Sequence, residues 1–357
     1  MYIYGVNFNK FESDYVTEGV RTDDAYNLKF KACTGIEHGI DDFKLGPFNV
    51  KECITRYDYE TKKHQILAYK GQVKKSNYAA LLADPGNNVM IEFPKFYYLR
   101  SSRYSFKVSN TQHENFLISP MHENSDYVYV SKYKVNSQFR SVLNSKPLTS
   151  VKLADFKNGL INEGLSVINY NIIASLTMLM LVKYANLDIQ SVIGAGIHDD
   201  SIITNNGATN NLASFDGRVL TAINESSSVV TLGIENWYGN LFSFVDNIKK
   251  DEYGYIWLNN QKMKEPTVNC CGYVSELVYD TKYPFLLYPT QVTTHVNNSL
   301  RDYVYSDQYS KGLVLMNGSW KGNDRTGIFS FDIMSRVSFK DKYVGAFAYF
   351  DSKTVTN

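Results

Sequence analysis

Residues 232–240 read Leu-Gly-Ile-Glu-Asn-Trp-Tyr-Gly-Asn: two glycines, two aromatic rings, one acid and two amides within nine positions. Gly233 and Gly239 allow positive φ or close chain approach. Trp237 and Tyr238 each bring a large apolar ring with a polar atom that needs a partner once buried. Glu235 among apolar neighbours requires compensating hydrogen bonds. The stretch is therefore expected to be a buried knot from which loops are hung, with Gly233, Glu235, Asn236, Trp237, Gly239 and Asn240 in structural roles. The other reading is an ordinary hairpin turn.

A chain of 357 residues fits about two domains, or one large one. With 44% hydrophobic residues it can bury a sizeable core, and a net charge of +1 argues against a nucleic-acid binder. The 28 tyrosines and 20 phenylalanines favour pleated, half-buried surfaces. Tyrosine is also a favoured residue of adaptable binding surfaces. Cys33, Cys53, Cys270 and Cys271 lack the spacing of a zinc site and are expected to stay reduced. Met1–Lys10 has no basic segment followed by an apolar run, so no signal peptide is expected. The apolar run 172–187 is too short to span a bilayer.

Residues 1–88 are read as a small β-rich module, with strands at 2–6, 50–57 and 65–69 and a boundary at the breaker cluster Asp84-Pro-Gly-Asn-Asn88. Residues 89–357 form the second unit. Val89–Leu99 is a strand interrupted by Pro94, and 104–108 pairs back on it. Thr149 or Ser150 caps a helix through Leu153, Phe156 and Leu160. Tyr170–Asn186 is a long helix, apolar nearly all round and therefore buried; Met178 and Met180 fill core rather than form a docking stripe. Loops occupy 194–217. Short strands follow the knot at 242–245, 253–258 and 272–278, then at 312–320, 327–331 and 343–350, while 284–307 shows little periodicity. The sum is an α+β fold with two helices, many short strands and long loops.

The order of these segments resembles the C-type-lectin-like domains of phage tail and receptor-binding proteins, a fold shared with phage tropism determinants and the formylglycine-generating-enzyme group. The residues that carry the resemblance are Met90–Tyr98, Asp126–Tyr133, Lys183-Tyr-Ala-Asn186 with Gln190, Gly233–Asn240, Asn317-Gly-Ser-Trp320, Gly327–Phe331 and Gly345-Ala-Phe347. Two positions depart from the pattern: Asn317 stands where a first glycine is usual, and Phe347 where an arginine is common. The resemblance implies a phage virion protein of the tail or fibre, assembled in the host cytoplasm, that binds a host-surface glycan or protein through residues 89–357. Residues 1–88 would attach it to other virion proteins or to copies of itself, as a homo-oligomer. The alternative is a structural decoration, collar or adaptor protein using the same fold for protein contacts. No membrane insertion is expected.

Catalytic candidates are sparse. Only His198-Asp199-Asp200-Ser201 gathers base, acid and hydroxyl, and sequence neighbours do not face one another as a triad does. Adjacent Cys270 and Cys271 suit a shared copper poorly, and are expected to be buried, inert thiols. Carboxylate pairs for glycan cleavage are invisible at this level. No enzyme activity and no cofactor are expected; Asp199, Asp200 and Asp216 are the carboxylates available for Ca²⁺. The binding candidates lie late in the chain: Tyr303, Tyr305, Tyr309, Trp320, Asn323, Asp324 and Arg325, where aromatic rings and directional polar groups share loops. Scattered tyrosines on polar loops would look the same.

Overall fold

Two large sheets frame two main hydrophobic cores, and a small third cluster joins Ile54, Ala68 and Tyr78. A computed structural model describes residues 1–8, 17–199, 203–298 and 300–356. Its six-stranded sheet runs in the order 166–167, 348–351, 127–131, 88–94, 51–58 and 63–69. A nine-stranded sheet runs 261–266, 255–258, 242–250, 312–316, 331–335, 303–305, 272–277 and 289–293, with 344–345 pairing beside 242–250. A five-stranded sheet is ordered 117–118, 97–102, 105–109, 3–7 and 20–23.

Successive strand residues point to opposite faces, and both large sheets use this to feed both cores. Ile91, Phe93, Val128 and Val130 join Val245, Val314 and Phe331 in the larger core. Met90, Tyr129 and Phe350 join Phe244 and Leu315 in the smaller one. Among the described residues there are four α-helices: α1 (Lys75–Ala83), α2 (Leu153–Asn162), α3 (Tyr170–Tyr184) and the single turn α4 (Gln190–Ile193). Phe156 and Leu160 of α2 fill the smaller core. In α3 every residue but Asn171 is buried, Met178 and Met180 included, as an all-round apolar helix requires. The Asn169 carboxamide accepts from the Ile172 N–H and starts that helix.

Several sequence expectations give way here. The expected two helices are four, and α1 lies inside the stretch read as a β module. No module ends at 88. Strand 51–58 pairs with 88–94 from Lys51 opposite Glu92 to Thr55 opposite Asn88, and strand 3–7 pairs with 105–109. The breaker cluster is only the turn from α1 into a central strand: turn residues mark a reversal, not whether the chain on either side pairs. Pro94 does more than roughen an edge. It ends one strand, and Tyr97–Ser102 enters a different sheet. The residue flanking α2 is Lys152, whose N–H is held by the Asp155 carboxylate, while Ser150 sits at φ +64° in the preceding turn. The unpatterned stretch 284–307 contains strands Pro289–Thr293 and Tyr303–Tyr305, too short to show a period.

The knot is built as its composition demands. Five of its nine residues take positive φ: Leu232, Gly233, Asn236, Gly239 and Asn240. A side chain on Gly239 would meet the Ile197 backbone N at 2.7 Å. The buried Glu235 carboxylate accepts from the Gly207 N–H at 2.7 Å, the Thr209 N–H at 2.8 Å and the Thr209 hydroxyl at 2.6 Å. Burial pushes its pKa up and these three donors oppose that. Asn240 exchanges hydrogen bonds with the Thr204 backbone. The Tyr238 hydroxyl donates to the Gly194 carbonyl at 2.6 Å. Trp237 differs: its indole N–H is buried and finds no acceptor among the described residues.

Both departures from the lectin-like pattern are accommodated. Asn317 takes φ +76°, the conformation a glycine would supply. Phe347 packs on Trp237 with ring centroids 5.4 Å apart, and the buried Lys134 ammonium lies 4.0 Å from its ring centroid. That ammonium also donates to the Asn236 carbonyl, and burial pushes its pKa well down.

Two outcomes are expected. Trp237→Ala would cost about 3–5 kcal/mol by urea unfolding, as loss of a fully enclosed ring does. A loss under about 1 kcal/mol would remove the knot from its central place. His122 is buried, and desolvation lowers its pKa to about 4. Its contribution to stability is therefore complete above the unfolded value near 6.5 and is lost as pH falls from there towards 4. Unfolding followed across that window should show His122→Asn flattening the acid slope.

Candidate functional site

The strand Tyr303–Tyr305 buries Val304 and turns Tyr303 and Tyr305 to the opposite face, half exposed. Tyr273 lies across the ladder from Tyr303. The Tyr273 and Tyr303 rings meet edge to face at 5.1 Å, and Tyr303 and Tyr305 are 4.9 Å apart. The Arg325 guanidinium sits 4.5 Å above the Tyr303 ring. Partial burial works against its charge, but hydrogen bonds to Tyr273 and Tyr305 outweigh this and raise its pKa. The result is a cation fixed by three tyrosines at the surface, contributed by two strands and the 3₁₀ turn Trp320–Arg325.

Two residues further along the chain, past Ser306 and Asp307, a groove of about 870 Å³ opens, lined by Lys249, Trp257, Tyr309, Lys311, Met334 and Arg336. Tyr309 is 83% exposed, and its N–H is held by the Asp307 carboxylate. Trp257 is fixed by its indole N–H donating to Asp251 at 2.7 Å, with the Lys249 ammonium 5.7 Å from its ring centroid. Hydrogen bonds from Trp257 and from the Tyr253 and Tyr255 N–H groups outweigh partial desolvation and hold the Asp251 pKa down. Lys250 is buried beneath the groove and donates to the Ser306 hydroxyl and Asp307 carbonyl.

Of the sequence candidates, Tyr303, Tyr305 and Arg325 come together, while Tyr309 lines the groove. Trp320 is half-buried; its backbone N–H donates to the Asn240 carbonyl, tying the turn to the knot, and its ring faces Lys342. The side chains of Asn323 and Asp324 lie outside the described structure. Tyr273 and Trp257 were missed. Both stand on strands readable from the sequence, but which face of each strand is exposed depends on what packs behind it. Asp200 lies outside the described residues. Asp216 leaves the calcium set: its carboxylate is enclosed by Lys183 at 2.7 Å, the Tyr184 hydroxyl and the Leu232 N–H. Cys270 and Cys271 are exposed rather than buried, at the start of the Tyr273 strand.

No protein-family model and no curated protein matches the chain. Among solved structures, the U1 and M1 variants of Major Tropism Determinant match at 11% identity with TM-scores of 0.31 and 0.32, over 88% of this chain and 75% of theirs. The I1 variant matches at 10% identity and TM-score 0.32 over the same shares.

Arg325→Ala is expected to shift stability by no more than about 1 kcal/mol in urea unfolding, since the residue is only partly buried. A loss near that expected for Trp237→Ala would make Arg325 a structural residue.

Proposed function

We propose that this protein is a phage virion component that binds a host surface through the Tyr273–Tyr303–Tyr305–Arg325 patch and the Trp257–Tyr309 groove, presented by a lectin-like domain. The observation that carries the reading is Arg325, held in place by three tyrosines yet open to solvent. A preorganised guanidinium among aromatic rings loses little side-chain freedom on binding, and Arg and Tyr dominate binding hot spots. The rings offer flat faces for sugar or apolar side chains, and the guanidinium and hydroxyls give direction. The protein acts by binding, not by catalysis. Several copies displayed together would turn modest single-site affinity into firm attachment. The ordered segments from Met90 to Phe347 support the lectin-like and virion parts of this reading.

The test is binding of the labelled purified protein to intact bacterial cells and to a glycan array, with Arg325→Ala and Tyr303→Ala beside the wild type. Each variant is expected to lose at least tenfold in apparent affinity, about 1.4 kcal/mol. Wild-type protein that binds neither cells nor glycans, yet assembles with other virion proteins, would favour the structural adaptor instead.

A further inference from the structure

We propose that Lys132 and Asn210 become joined by an intramolecular amide bond, with Glu52 as the proton carrier. The three side chains meet where strand 127–131 ends. The Lys132 ammonium lies 2.8 Å from the Glu52 carboxylate and 3.0 Å from the Asn210 amide oxygen. The Tyr133 hydroxyl donates to that same oxygen at 3.2 Å. Lys132, Glu52 and Tyr133 are buried.

Each group has the chemistry its place requires. An amine attacks only when neutral, and burial lowers the Lys132 pKa against the pull of Glu52, while burial of Glu52 is outweighed by Lys132 and Lys70, which hold its pKa down. The reaction runs through the minor form in which one proton has passed from Nζ to the carboxylate, leaving two neutral groups at the cost of the ion pair. Two donors on one amide oxygen polarise the carbonyl, and Tyr133 remains there to hold the charge that develops. The amide carbon is one C=O bond, about 1.23 Å, from that oxygen, so the amine and the carbon it would attack are already neighbours. Holding nucleophile and electrophile together in this way removes much of the entropic barrier.

The balance is complete without a further reactant. The neutral Lys132 amine adds to Cγ of Asn210. Glu52 gives its proton to the amide nitrogen and takes one from Nζ. The C–N bond to the amide nitrogen breaks, ammonia leaves, and it takes the remaining proton from Glu52. Nothing is oxidised or reduced. Glu52 keeps a counter-ion afterwards, because Lys70 lies 3.3 Å from the same oxygen and the Tyr78 hydroxyl donates to the other. A cleft of about 540 Å³, lined by Glu52, Lys70, Lys132 and Thr209, gives ammonia a way out. The loop that carries Asn210 is already pinned by Glu235 through Gly207 and Thr209. The bond would make that docking permanent, a fitting property for a protein exposed outside a cell.

The test is mass spectrometry on the denatured full-length protein. The wild type is expected to be lighter than its sequence by one ammonia, and a tryptic digest to yield a branched peptide joining Lys132 to Asn210. Asn210→Asp would reach the same product by losing water, while Lys132→Arg and Asn210→Ala would keep the full sequence mass. Glu52→Gln would slow or abolish the bond. A wild type at full sequence mass overturns the proposal even if every variant misfolds. So does an ammonia loss that maps to an unbranched succinimide at an asparagine.

Discussion

Glu235 holds a carboxylate where water does not reach, and the surrounding backbone is arranged to satisfy it. Its three donors come from residues 207–209, a loop with no strand or helix of its own. A buried acceptor without donors costs far more than a hydrogen bond returns, so the carboxylate and the loop fix each other. The knot extends the same logic. Asn240 holds Thr204, Gly239 donates to the Asn317 carbonyl, and Asn240 accepts from Trp320. Loops from both sides of the knot are thus positioned by nine residues, five of them in left-handed backbone.

That constraint reaches the binding surface. The turn Trp320–Arg325 starts from the hydrogen bond to Asn240, and Arg325 at its end meets the tyrosines of two strands. The surface needs no flexibility of its own, because the strands beneath it are held by two cores. Two charges buried elsewhere are likewise held by several partners. Lys183, at the end of α3, lies between Asp216 and Asp41, and Arg100 donates to the carbonyls of Val278, Pro284 and Leu286, stapling a strand to a distant loop. These interactions set position more than they add stability, since desolvation offsets much of a buried ion pair's attraction.

Much of the local structure was legible before any coordinates. The all-apolar run of α3, the short strands read at 50–57 and 65–69, and the crowding at 232–240 each carry their physical cause in the residue order. Tyr303, Tyr305 and Arg325 were legible as residue types suited to recognition. Their assembly with Tyr273 was not, because it depends on a ladder between strands thirty residues apart in sequence. The expected burial of Cys270 and Cys271 failed for a related reason: a thiol is apolar enough to bury, and only the packing around the turn into strand 272–277 leaves both exposed.

The sequence by itself determined helices α2 and α3 and the more strongly patterned strands, and that Glu235 and Trp237 would need enclosing, because periodicity and the cost of burying polar atoms act within a few residues. Only the tertiary structure decided that residues 1–88 share a sheet with the rest, that Pro94 passes the chain from one sheet to another, and that Lys132 meets Glu52 and Asn210. Those outcomes are set by which strands pair and which loops dock. Pairing partners are chosen by the combined burial of many side chains far apart in the chain, and no local stretch carries that information.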